Sequence, residues 1–178
     1  AHFDEIHEKM KPWLKFRFYG SVGFKGPKIE DTWVQRARNA MASMPKGHRL
    51  VPLFGPYIPL LIPWNDYWVN PPHRWHFPDG YIKTLLSVLR PEVPYITVSQ
   101  NDDGLTGACE ILMEWLPNLL VLSAGGYGHV AVPLFNQPER LQNHKPMADR
   151  KYLVSYVGSM THAPYNLRQE MGKIIQQK

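Results

Sequence analysis

Two short, unbroken apolar runs constrain this chain more than any other feature. Tyr95-Ile96-Thr97-Val98-Ser99 is rich in β-branched residues, and Leu119-Leu120-Val121-Leu122-Ser123 is apolar almost throughout. A strand covered on one face alternates apolar with polar residues. A strand without that alternation is covered on both faces, the condition of a parallel sheet held between helices. Helical patterns flank the runs. Over 30–44, Val34, Ala37, Met41 and Met44 recur at helical spacing, with Gln35, Arg36, Arg38 and Asn39 on the other side. Glu30 and Asp31 stand at the positive end of that helix, and Lys46-Gly47 closes it. Over 79–90, Asp79 offers a cap, Ile82, Leu85, Leu86 and Leu89 form the buried face, and Pro91 follows. Residues 108–116 read as a third helix, and a fourth runs from near Pro164 to the end of the chain. Further strands are expected at 49–54, closed by Gly55-Pro56, and at 152–157. The alternation predicts an α/β fold: a Rossmann-like parallel sheet with helices on both faces.

Between these elements, residues 1–29 show no clear period, and 55–78 form a long proline- and aromatic-rich loop carrying Trp64, Tyr67, Trp68, Trp75 and Phe77. Residues 135–150 are polar with charges of both signs, as in an inter-domain linker. They divide the chain into a Rossmann-like domain over 1–150 and the first strand and helix of a second over 151–178. The chain opens at Ala1 without an initiating Met, the pattern of a processed product or a fragment. With 44% hydrophobic and 20% charged residues in 178, it buries a core, which excludes a disordered chain. Its 17 prolines disfavour a simple helical bundle. The most apolar stretch, 51–64, is broken by four prolines, so no membrane span is expected. A net charge of +5 suits an anionic small ligand or an acidic partner; the basic residues are scattered, so no nucleic-acid partner is expected. Cys109 is the single cysteine, so no intrachain disulfide forms, and it reads as a buried thiol.

Open parallel sheets bind ligands at the carboxyl ends of their strands. Three loops qualify here: 100–105, 123–129 and 158–165. In the first, Asp102 and Asp103 are adjacent carboxylates, and mutual repulsion would suit one of them to act as a general base. The same residues serve equally as an Asx-rich turn capping the next helix. In the second, Gly125-Gly126-Tyr127-Gly128-His129 allows close approach of backbone to a ligand, or simply a tight turn. In the third, Gly158 and Ser159 precede a helix whose Arg168 supplies a planar fork for a diphosphate, or a solvated surface cation. His73 and His76 form an H-x-x-H pair in the proline-rich loop, and no spacing matches a zinc site.

With these residues in order, the chain resembles the exostosin family, glycosyltransferase family 47, from about residue 49 onward. The strand at 95–99 with Asn101-Asp102-Asp103-Gly104 resembles the family's strand ending in His-Asp-Trp-Gly, with Asn101 and Asp103 replacing the motif His and Trp. Residues 119–123 followed by His129-Val130-Ala131-Val132-Pro133-Leu134 resemble its D-V-x-x-P segment. Residues 152–158 followed by Leu167-Arg168-Gln169-Glu170-Met171 resemble L-x-F-x-G…R-x-x-L, where the donor-binding domain begins. The resemblance implies half of a GT-B type fold, truncated at Lys178 after the first strand and helix of the donor domain. It implies inverting transfer of a sugar from a nucleotide-sugar co-substrate to a glycan hydroxyl, without a metal cofactor, in the Golgi lumen. Asp102, with Asp103 as rival, would be the base. Gly158, Ser159 and Arg168 would hold the donor. Trp64, Trp68, Trp75, Tyr127 and His129 would meet the acceptor, the tryptophans as platforms for sugar rings unless they are packed in the core. Two other readings stay open. One is an inactive exostosin-like subunit with a scaffolding role, a protein partner covering the face where the donor domain would pack. The other is a carbohydrate-binding module without catalysis.

Overall fold

The computed structural model describes residues 1–13, 29–45, 50–65, 77–101, 104–105, 116–134, 145–152 and 166–176. The chain divides into two compact units, Ala1–Pro138 and Glu139–Lys178. Several expectations lie outside the described residues: the helix residues 108–115, the strand residues 153–157, the His73 and His76 pair, and Cys109.

The first unit is an α/β fold built on a four-stranded, all-parallel sheet in the order β1-β2-β3-β4, with β1 at Ile58–Pro59, β2 at Tyr95–Ser99, β3 at Leu119–Ser123 and β4 at Val130–Ala131. The two apolar runs form its centre. Tyr95 pairs with Leu119 and the register continues without slip to Ser99 opposite Ser123. Because side chains alternate along a strand, each run feeds both faces. On one face, Tyr95, Leu119 and Val121 pack with Leu60, Ile62 and Trp64 against α1 (His2–Met10) and the helix at Tyr81–Val88, which is α4. On the other, Leu61 packs against Val34, Ala37 and Met41 of α2 (Ile29–Ala42). Helices therefore cover both faces, as the lack of alternation requires. Each fully buried Leu or Tyr in these clusters stabilises the fold by about 1.5–3 kcal/mol.

Besides β4, which the sequence pattern does not predict, four elements differ from the expectation. The first 29 residues open with α1, whose Phe3, Ile6 and Met10 lie on one stripe, with Ile6 and Met10 buried. The strand expected at 49–54 is instead a single helical turn, α3 (Val51–Phe54), with Val51 and Leu53 exposed. Pro52 explains this, since proline suits the first turn of a helix, where its missing N–H leaves nothing unpaired. The edge strand is β1, inside the supposed long loop. Ile58 N donates to Pro94 O at 2.9 Å and Leu60 N to Ile96 O at 2.8 Å. Pro59 sits between these two donors, on the outward side of the edge, where a missing N–H costs nothing. Finally, α4 is preceded by Gly80 in a left-handed conformation (φ 78°), and Asp79 makes no side-chain cap.

In the second unit the described residues form a 3₁₀ turn at Met147–Asp149 and the helix α5 (Leu167–Gln176). Among the described residues, no helix is long and apolar enough to cross a membrane.

Candidate functional site

The carboxyl edge of the sheet is where local sequence and tertiary packing converge. β2 ends at Ser99, and Gly104 N donates to Asn101 O at 2.9 Å, closing the turn expected there. Gly104 then pairs with Tyr127 in an isolated parallel bridge, so the loops after β2 and β3 meet. Two glycines make this possible. Gly104 has φ 65°, and a Cβ there would lie 2.7 Å from Tyr127 N and closer still to Tyr127 O. A Cβ on Gly128 would collide with the Ser123 side chain. Only residues 124–129 connect β3 to the parallel β4, where a crossover of a dozen or more residues is usual. The chain folds straight back instead: His129 N donates to Val121 O at 2.9 Å, and Val121 N donates to His129 Nδ1 at 3.0 Å. Tyr127 presents a ring 55% exposed, edge-on to the His129 imidazole with centroids 6.0 Å apart.

Beneath this edge lies a buried polar layer of Glu30, Ser99, Gln100, Asn101 and Ser123. Glu30 is the pivot. Its carboxylate is 2% exposed and accepts from Gln100 N at 2.7 Å and Asn65 N at 2.9 Å. Gln100 replies through its side chain, Oε1 accepting from Ile29 N at 2.5 Å. The first turn of α2 is thereby stapled to the chain leaving β2 and to the segment that follows β1. The position at the positive end of α2 also favours a carboxylate. The sequence alone shows only that helix-end preference; burial of Glu30 depends on partners distant in sequence. The one local signal was a carboxylate opening an otherwise apolar helix face.

The opposite, amino edge carries a separate polar network. His2 Nδ1 lies 3.0 Å from Glu5 Oε2, His2 Nε2 lies 2.8 Å from the Tyr95 hydroxyl, and Arg90 Nη2 donates to Glu5 Oε2 at 2.8 Å. The Tyr95 hydroxyl also accepts from Arg90 N at 2.8 Å. Burial raises the Tyr95 pKa, and the His2 hydrogen bond is the main cause holding the Glu5 carboxyl below its usual value. The fully buried Tyr95 makes this network a tie between α1, the end of α4 and the sheet.

Of the residues singled out in the sequence, Tyr127 and His129 come together at the carboxyl edge. Asp102, Asp103, Trp68, Trp75, Gly158 and Ser159 lie outside the described residues; Asn101 and Gly104, which flank the two aspartates, belong to the edge. Arg168 stands half-buried in the first turn of α5, in the second unit. Trp64 is corrected: it is a core residue, 1% exposed, and offers no ring face to a ligand. Its indole N–H donates to Thr97 Oγ1 at 2.8 Å, which in turn donates to Leu60 O at 3.0 Å. That closed relay is why the tryptophan can be buried fully. Among the described residues, no three ligand-forming side chains group to hold a metal ion. The described strands run in sequential order without a reversal, so the edge is located by its loops and not by a topological switch point. Searches against family models, curated proteins and solved structures find no match for this chain.

Proposed function

We propose that the chain is the acceptor-side part of an exostosin-like inverting glycosyltransferase. The ordered motifs suggest it, and one observation supports it: the loops after β2 and β3 are joined at a single place on the carboxyl edge by the Gly104–Tyr127 bridge. In this reading Asp102, with Asp103 as rival, takes the proton of an acceptor hydroxyl as its oxygen attacks the anomeric carbon of the donor sugar. The bond to the diphosphate breaks on the opposite face, and the diphosphate leaves with the electron pair. Tyr127 and His129 contact the acceptor glycan. Arg168, Gly158 and Ser159 are assigned to the diphosphate, whose charge a guanidinium and helix N–H groups stabilise.

The test is sugar transfer from a panel of nucleotide sugars to oligosaccharide acceptors, with glycan binding measured in parallel. Asp102→Asn should retain glycan binding and lower transfer by about 10²–10⁴-fold. Glycan binding with no transfer, and with no binding of any nucleotide sugar, in either form would instead indicate a carbohydrate-binding module. A scaffolding role is the second reading, and α5 favours it: Leu167, Met171, Ile174 and Ile175 recur on one stripe and are all exposed. It predicts neither transfer nor glycan binding, and a stable protein complex that is lost on Ile174→Glu.

A further inference from the structure

A cavity of about 460 Å³ lies on the α2 face of the sheet. It falls within the size range of small-molecule sites, roughly 300–1,000 Å³. One wall is α2, where Ile29, Trp33, Ala37 and Ala40 recur every three or four residues. At a rise of about 1.5 Å per residue, that wall extends roughly 16 Å, so the space is elongated. The facing wall is Val98 and Leu122, the side chains that β2 and β3 turn toward α2. The small side chains of Ala37 and Ala40 leave the gap open.

The chemistry of the lining is lopsided. Besides the buried Trp33 indole N–H, its polar side chains are Thr32 and Arg36, four residues apart and hence on one rim of the helix. Arg36 is exposed and has no ion-pair partner among the described residues. A sugar or nucleotide would leave most of its hydroxyl and amide groups unpaired against the apolar walls, at a cost for each. An apolar body with one anionic end satisfies both features: the walls cover the body, and the planar guanidinium meets a carboxylate through paired hydrogen bonds.

We propose that this cavity binds an elongated apolar carboxylate, with Arg36 as its counter-ion. The site is independent of the glycosyltransferase reading. The test is isothermal titration calorimetry of the whole chain with decanoate and, as uncharged control, 1-decanol. Decanoate should bind saturably. Ala40→Phe, which fills the cavity from α2, should weaken it more than tenfold, and Val132→Phe, which fills it from the loop after β4, should do the same in a chain whose α2 is untouched. Arg36→Gln should weaken decanoate by up to about fivefold at low salt, as expected for a solvent-accessible ion pair, and leave 1-decanol unchanged. Absence of saturable binding, or binding that survives both filling substitutions in folded protein, overturns the proposal. Equal loss of decanoate and 1-decanol on Arg36→Gln overturns the role of Arg36.

Discussion

Removing the Glu30 carboxylate tests whether the carboxyl edge is assembled as described. In Glu30→Ala, the backbone N–H groups of Gln100 and Asn65 lose their acceptor. A stranded buried donor costs about 1–3 kcal/mol, and the favourable interaction with the start of α2 contributes about 0.3–1 kcal/mol more. Against this, alanine carries no ion to desolvate, and desolvation of a carboxylate is a substantial opposing cost. We therefore expect the lower part of the range, about 2–3 kcal/mol, for Glu30→Ala. Glu30→Gln keeps one acceptor oxygen and should lose about half as much. Urea denaturation reads the difference as a lower midpoint with unchanged slope, because the surface exposed on unfolding stays the same. Amide hydrogen exchange localises it, with Gln100 and Asn65 losing protection before the centre of β3. A Glu30→Ala variant within about 0.5 kcal/mol of the parent, an ordinary surface effect, would refute the staple.

Two other consequences follow from particular contacts. His7 is partly buried, which lowers its pKa, with the nearby Arg38 charge acting in the same direction and the Phe3 carbonyl, 2.9 Å from Nδ1, opposing. Its folded pKa lies below the unfolded value of about 6.5, so its contribution is present above that pH and lost as pH falls through the depressed folded value. Urea midpoints should fall from pH 7.5 to pH 5, and His7→Gln should flatten that decline; parallel profiles would contradict the assignment. Gly104→Ala should cost at least about 1–2 kcal/mol from left-handed backbone alone, with the collision at Tyr127 added, and thermal unfolding no lower than the parent's would show that the bridge does not form.

The parts of the fold legible in the sequence are those whose pattern is local and long. The bounds of β2 and β3 are legible because five consecutive positions in each require burial on both faces. α2 and α4 are legible because their apolar residues recur at helical spacing, and their ends differ from that pattern by one or two residues. The losses have physical causes. β1 is two residues long and contains Pro59, and only its partners in β2 make it a strand. β4 exists because Gly128 lets the chain fold back on β3. Val51-Pro52-Leu53-Phe54 is apolar enough for a strand, yet proline in a first turn and Gly55 at φ 58° end it as a helical turn. At the site, the rule that ligands meet the carboxyl ends of parallel strands selected loops 100–105 and 123–129, and the structure joins them. Composition does not distinguish a tryptophan that stacks on sugars from one that fills a core; the Thr97 hydroxyl decided that for Trp64.

In the proposed glycosyltransferase reading, glycan and nucleotide-sugar ligands meet this molecule at the edge where Gly104 and Tyr127 pair. Amide chemical-shift mapping during titration with acceptor oligosaccharides and nucleotide sugars tests it most directly. Shifts concentrated at Asn101, Gly104, Tyr127 and His129, with Arg90, Tyr95 and Asn118 unmoved, are the predicted result. Shifts at those amino-edge residues instead, or none anywhere with any of these compounds, would contradict it.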